Sequence, residues 1–155
     1  MSIQVKLPED LMKYLSALDE KTVDRIIVRS LQAGARAAKN VYKASLQSVL
    51  SPQHKRGELV KALTTSKPKL QADGTHYVLV KFKEPRQDQS GSMTTRSGKR
   101  RSYYVRTNAM IGNVLEYGSS RIAARPWFRP ADKKAIAEAT EKVISTWEEG
   151  ITKGG

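Results

Sequence analysis

Residues 22–50, TVDRIIVRSLQAGARAAKNVYKASLQSVL, decide the fold of this chain. Apolar residues recur along the stretch at helical spacing, and no proline interrupts it before Pro52. The pattern predicts one long helix from Thr22 to Leu50. Its middle, from Ala33 to Ala38, is rich in small residues, so another helix or a sheet is expected to approach it closely. The periodic apolar positions are Val23, Ile26, Ile27, Leu31, Ala37, Ala38, Val41, Ala44 and Val49.

Beyond a break at Ser51 to Gly57, the apolar period shortens. Glu58 to Leu63 fits either a further turn of helix or the lead into a strand. The period changes within Leu70 to Phe82, where Tyr77 to Phe82 alternate with the period of two that is typical of a strand. The Asp73-Gly74 turn signal just before this alternation makes Ser66 to Leu70 the expected hairpin partner. Strand character resumes at Ser102 to Arg106.

Helical elements are expected at both ends of the chain. Leu7 to Asp19 resembles a short amphipathic helix and would form an N-terminal arm, residues 1–20. Val114 to Tyr117 fits a short strand or a helical turn that ends at Gly118, and the two prolines of Arg125 to Pro130 argue against helix there. A last helix is expected to open with Asp132 as its N-cap. Its predicted apolar face consists of Ile136, Ala139, Val143, Ile144 and Trp147.

These elements predict an α+β class within a single domain of 155 residues. The expected parts are a long helix, an antiparallel sheet with an extended basic loop, and a C-terminal helix. We find no internal repeat. No segment approaches ~18 uninterrupted apolar residues, and the N-terminus lacks the apolar core of a signal peptide. The sequence therefore predicts no association with membranes and a protein that is cytosolic when made.

The charge balance favours a polyanionic partner. Lys and Arg number 28 against 15 Asp and Glu, which gives a formal net charge of +13. Nucleic acid is the first candidate, and docking onto an acidic protein, or charge for solubility alone, is the alternative.

The residues that catalysis needs are scarce. There is no cysteine, and the histidines are His54 and His76, neither with a partner at a recognisable spacing. Glu148 and Glu149 are neighbours on a predicted helix and point in different directions. No glycine-rich phosphate loop is present. We therefore expect no enzymatic activity, no metal site and no cofactor.

A basic arm, Pro85 to Arg101, is poor in large apolar residues and is expected to be a flexible, exposed loop. Its cations could neutralise phosphates, and Tyr103 and Tyr104 beside them could stack on bases. The alternative is a solvated loop next to an ordinary strand. The predicted polyanion-binding residues are Arg86, Arg96, Lys99, Arg100 and Arg101.

The segment from Arg125 to Pro130, RPWFRP, concentrates two large aromatic residues between prolines. Trp, Phe and Arg are favoured anchors of protein interfaces. The alternative for Trp127 or Phe128 is a rigid loop that closes the chain's own core from one side. From the sequence the two roles are equally plausible.

The residues from Asn113 to Ala131, NVLEYGSSRIAARPWFRPA, resemble the hallmark of a family of tailed-bacteriophage neck and tail-completion proteins. That pattern is an acidic-aromatic-Gly-Ser/Thr step, then a small-Arg-Pro step, then an aromatic residue and a second Pro-Ala. Glu116 to Ser119 match the first step, and Ala124 to Pro126, Phe128, Pro130 and Ala131 match the rest. Gly57-Glu58-Leu59 resembles a further family feature, so the similarity spans most of residues 20 to 150. The N-terminal helix and the long basic arm depart from the pattern.

The resemblance implies a structural virion protein, similar in fold to tail-terminator proteins, that forms a homo-oligomeric ring, usually a hexamer. Such a ring completes or terminates the tail and joins it to the head. Its expected partners are other neck and tail proteins and, at the basic arm, either genomic DNA in the lumen or an acidic protein. It would be made in the host bacterial cytoplasm. The competing hypothesis is a free-standing basic nucleic-acid-binding protein.

The predicted subunit or partner interface follows the same motif. Pairing of Glu116 with Arg125, within or between subunits, is suggested by their opposite charges alone. The predicted interface residues are Glu116, Tyr117, Gly118, Arg125, Pro126, Trp127, Phe128, Arg129 and Pro130.

Overall fold

A computed structural model describes residues 19–50, 57–83, 91–94, 96–103 and 107–154. The predicted N-terminal helix lies almost wholly outside these residues, as do His54, Arg86 and Tyr104. The helices are α1 (Glu20–Val49), α2 (Gly57–Ala62), α3 (Asn108–Tyr117) and α4 (Arg129–Gly154). The strands are β1 (Leu63–Thr65), β2 (Lys69–Leu70), β3 (His76–Tyr77), β4 (Val80–Phe82), β5 (Gly91–Thr94) and β6 (Arg100–Tyr103).

The long helix and the C-terminal helix form the frame of the molecule. α1 confirms the predicted long helix, and it packs along α4 in the opposite direction, with Gly34 against Ala139 and Val143, and Ile26 against Gly150. A β-carbon on Gly34 would overlap Val143 Cγ2 and lie 2.9 Å from the Ala139 carbonyl oxygen. The small-residue centre of α1 therefore permits the close approach that its sequence predicted.

The predicted hairpin is present and longer than expected. Lys69 pairs with Tyr77 across the Asp73-Gly74 turn, and further out Leu63 pairs with Phe82 in antiparallel register. Ser66 bridges the two parts, because its backbone N–H donates to Leu79 O while its hydroxyl accepts from Leu79 N–H. Both structures predicted for Glu58 to Leu63, a turn of helix and the lead into a strand, are present: α2 ends at Ala62 and β1 starts at Leu63.

Part of the basic arm is regular. β5 and β6 pair antiparallel, with Gly91 opposite Tyr103 and Thr94 opposite Arg100. Gly98, at φ 74°, lies in the turn between them. The prediction of a flexible loop from Pro85 to Arg101 is therefore wrong for Gly91–Thr94 and for Arg100 and Arg101. The backbone N–H and C=O groups of these two strands form hydrogen bonds with each other.

The start of the last helix differs from the sequence prediction. α4 begins at Arg129, so Asp132 lies in its first turn and is not the N-cap. Pro130 is compatible with this position because the first turn of a helix needs no N–H there. The buried face consists of Ala131, Ala135, Ala139, Val143 and Trp147, whereas Ile136 is 42% exposed, contrary to its predicted place.

One core joins these elements. It contains Tyr42 and Leu46 from α1, Leu59 and Val60 from α2, and Leu63 from β1. α3, the segment after it and α4 complete it with Leu115, Trp127, Ala131, Ala135 and Ala139. The chain is thus a single α+β domain of helices with short antiparallel strand pairs, as the sequence predicted.

The contact between α1 and α4 at Gly34 leads to the first prediction. Gly34→Ala is expected to lower the free energy of unfolding by about 1–3 kcal/mol, because the new methyl overlaps Val143 and a backbone carbonyl. This loss opposes the gain of ~1 kcal/mol that Ala normally has over Gly within a helix. Asn40→Ala, at an exposed position of the same helix, is the control. Chemical denaturation measures both, and a Gly34→Ala chain at least as stable as wild type would contradict this packing.

Candidate subunit interface

The segment between α3 and α4, which contains most of the predicted interface residues, is folded back by a glycine. Gly118 ends α3 at φ 79°, a region that side-chain-bearing residues rarely adopt. A β-carbon there would also lie 3.0 Å from Ala124 N and Ile122 O. Arg125 N–H then donates to Leu115 O at 2.7 Å, which ties the returning chain to the helix it has just left. Glycine is therefore required by both backbone angle and space.

The carboxylate of Glu116 fixes the far side of this turn. Glu116 is 5% exposed, and its Oε2 accepts the backbone N–H groups of Trp127 and Phe128, each at 2.8 Å. Its Oε1 accepts Arg129 N–H at 3.2 Å and lies 3.8 Å from Arg129 Nε. The side chain thus caps the start of α4 from a different helix.

This environment sets the ionisation of Glu116. Burial alone would raise the pKa of its carboxyl group. The N–H groups of Phe128, Trp127 and Arg129, together with the Arg129 charge, outweigh burial and hold the pKa below its ordinary value. The carboxylate is therefore ionised at neutral pH, as three N–H donors require.

Trp127 lies inside the chain's own core. It is 6% exposed, and its Nε1–H donates to Gly112 O at 3.0 Å. Its ring packs edge-on against the rings of Phe82, Tyr42 and Phe128. The core role is the alternative that the structure favours for Trp127.

Buried Tyr42 and half-buried Phe128 pack next to Trp127. Their rings are stacked with centroids 5.0 Å apart. The Tyr42 hydroxyl donates to Asp132 Oδ1 at 2.6 Å, and burial followed by this carboxylate raises the pKa of Tyr42. Asp132, predicted as a helix cap, therefore anchors α4 to α1 through a tyrosine.

An aromatic cleft of about 240 Å³ opens beside this cluster. Five aromatic residues line it: Tyr42, Phe82, Tyr117, Trp127 and Phe128. Leu63, Val80, Lys81, Asn113 and Glu116 complete the lining. At the mouth, Tyr117 is 62% exposed, and the Arg129 guanidinium lies 4.8 Å above its ring.

The predicted interface residues therefore divide into two groups. Glu116 and Trp127 are buried, and Gly118 and Phe128 are half-buried. Within the chain, the Glu116 side chain pairs with Arg129 and not with Arg125, because the turn at Gly118 brings the start of α4 over it. Pairing with Arg125 of another subunit stays a prediction. The exposed members, still predicted as interface, are Tyr117, Arg125, Pro126, Arg129 and Pro130.

The basic cluster lies elsewhere, on the β5–β6 pair. Arg96 and Lys99 are exposed around the turn that joins these strands. Arg100 and Arg101 are the first residues of β6, opposite Thr94 and Met93. The pair therefore brings four of the five predicted cations to one end of one hairpin.

The residues considered for catalysis remain dispersed. His76 Nε2 lies 3.4 Å from Asp24 Oδ1, a contact between the hairpin and α1 that sequence spacing did not reveal. In the part of the chain that the structure describes, no three His, Asp or Glu residues form a group able to hold a metal ion. None of the helices described is long and apolar enough to cross a bilayer.

Comparisons with protein-family models, with curated proteins and with solved structures found no match to this chain. The geometry of the motif segment and the charge of the hairpin therefore carry the functional argument.

The two groups of motif residues give the second prediction. Trp127→Ala is expected to lower the free energy of unfolding of the isolated chain by about 3–5 kcal/mol, because it empties the centre of the aromatic cluster. Tyr117→Ala is the control, since Tyr117 is mostly exposed and its loss should cost less than ~1 kcal/mol. Thermal and chemical denaturation compare the two. Equal stability of Trp127→Ala and wild type would make Trp127 an interface anchor instead.

Proposed function

We propose that this chain is a structural virion protein that forms a homo-oligomeric ring at the head-tail junction of a tailed bacteriophage. There it completes or terminates the tail and joins it to the head, and it has no enzymatic activity. The observation that carries the proposal is that the two halves of the phage-like motif form one unit. The acidic residue of the first half, Glu116, binds the backbone of the second half at Trp127, Phe128 and Arg129.

This unit supports the resemblance because it gives several of the matching positions a physical role. Gly118 makes the turn, and Glu116 binds the backbone of the segment after the turn at Trp127. Pro126 and Pro130 restrict the backbone beside the three N–H donors, which lowers the entropy lost on ordering them. The motif therefore presents a fixed surface of Tyr117, Arg125 and Arg129 to a partner.

A ring supplies such a partner. A closed ring needs a heterologous contact, in which one surface of a subunit meets a different surface of the next. The rigid motif surface is suited to one side of that contact, since aromatic and Arg residues on an ordered backbone lose little entropy on binding.

The basic hairpin fits a polyanion in the lumen of the ring. Arg96, Lys99, Arg100 and Arg101 belong to one hairpin end, and a ring repeats that end once in each subunit. Modest attraction per charge then multiplies around the ring and weakens with salt. The genome end is the polyanion we propose, and an acidic patch on an adjacent ring protein is the competing target.

A free-standing nucleic-acid-binding protein is the second candidate, favoured by the same hairpin and by the net charge of +13. It shares the phosphate contacts and lacks the ring. Incorporation into particles separates the two candidates.

The test is cryo-electron microscopy of particles that carry wild-type chain or a variant with Arg96, Lys99, Arg100 and Arg101 replaced by Ser. We expect a sixfold ring at the head-tail junction in both, with loss of DNA retention and infectivity in the variant. The control replaces four exposed cations outside the hairpin, Lys21, Lys61, Lys67 and Lys142, and should retain DNA.

Absence of the chain from particles, or a position far from the junction, would contradict the proposed function. Failure of the hairpin variant to join the particle would place the hairpin against a protein. Unchanged DNA retention and infectivity would make its cations a solvated surface only.

A further inference from the structure

The aromatic cleft has the size of a docking site for side chains. At about 240 Å³ it is smaller than the ~300–1,000 Å³ typical of small-molecule sites. Its lining is aromatic and aliphatic, with few polar groups free to orient a metabolite. One or two large apolar side chains of a protein segment match this volume and chemistry.

The charges around the cleft limit what that segment can be. The two nearby carboxylates are engaged, Glu116 by three backbone N–H groups and Asp132 by the Tyr42 hydroxyl. Neither carboxylate is exposed, whereas Lys81 and Arg129 beside the cleft are, and only Arg129 of these two contacts Glu116. An occupant with a carboxylate beside its apolar side chains is therefore favoured.

The chain itself contains such a segment before α1, in residues 1–18. Its sequence predicts an amphipathic helix with Leu7, Leu11, Tyr14, Leu15 and Leu18 on one side. On a helical projection Asp10 borders this apolar stripe, while Glu9 and Lys13 lie on the far side. A stripe of this kind needs a complementary surface to cover it.

The length of the segment decides which cleft it reaches. Tyr42, which lines the cleft, follows Asp19 by 23 residues of one helix, a distance of about 35 Å. The predicted helix from Leu7 to Asp19 extends only about 18 Å. Folded as its sequence predicts, the apolar stripe of the segment therefore falls short of the cleft in its own chain, whereas the cleft of an adjacent copy is not subject to this limit.

We propose that the N-terminal segment of one copy docks its apolar stripe, led by Leu11, into the aromatic cleft of the next copy. Each subunit then gives one segment and receives one, and when giver and receiver are different neighbours this is the heterologous contact of a closed ring. The inference rests on the proposed function in that copies of the chain associate, and it does not depend on where the ring sits.

Cysteine cross-linking tests this contact, because the chain has no cysteine of its own. Full chains carrying Leu11→Cys are mixed with full chains carrying Asn113→Cys, an exposed residue of the cleft lining. A short bismaleimide is added to the purified mixture and to particles assembled from it. Gln71→Cys, exposed next to the hairpin turn, replaces Asn113→Cys in the control mixture.

We expect at least about fivefold more of the Leu11–Asn113 linked dimer than of the control dimer. A synthetic peptide of residues 1–18 should compete with the link, and the same peptide with Asp10→Lys should compete less well. A chain carrying both cysteines should give linked dimers and no internal link.

Equal cross-linking in the two mixtures, no cross-link in either preparation, or an internal link in the double variant would overturn the inference. These outcomes are separable from the proposed function. A ring at the junction without the cross-link refutes only the docking of the segment, and a cross-link in a protein absent from particles refutes only the ring's place in the virion.

Discussion

The carboxylate of Glu116 is the constraint on which the segment between α3 and α4 depends. A carboxylate loses much hydration free energy on burial, and it remains charged only where hydrogen bonds replace that water. Here three consecutive N–H groups, from Trp127 to Arg129, do so. These N–H groups lie at the start of α4 and have no hydrogen-bond acceptor within the helix. The same contacts therefore stabilise the buried carboxylate and supply acceptors to the helix end.

The consequences extend to the core and to the surface. With its backbone held, Trp127 directs its indole to Gly112 O and fills the space between α1, β4 and α3. Arg129, at the same anchor, places its guanidinium over Tyr117 at the mouth of the aromatic cleft. The positions of the buried and exposed residues of the motif thus both follow from one set of hydrogen bonds.

Local patterns in the sequence were sufficient to predict part of this arrangement. The apolar period of Thr22 to Leu50 and the Asp73-Gly74 turn predicted α1 and the hairpin, because both depend on residues close in the chain. The N-cap of α4 was predicted at Asp132, whereas the helix begins at Arg129, since its cap is a side chain that belongs to another helix. The choice between core and interface for Trp127 likewise depends on Tyr42 and Phe82, which are far away in sequence.

Nuclear magnetic resonance of the amide protons of Trp127 and Phe128 as a function of pH tests the central role of Glu116 most directly. The folded pKa of Glu116 is lowered, so its contribution to stability is present above the unfolded value near 4.5 and is lost as pH falls through the folded value. We predict that both amide protons lie downfield at neutral pH and move upfield together below pH 4.5, and that they do not titrate in Glu116→Gln. Amide shifts that titrate at or above pH 4.5, or that are the same in wild type and variant, would contradict the account.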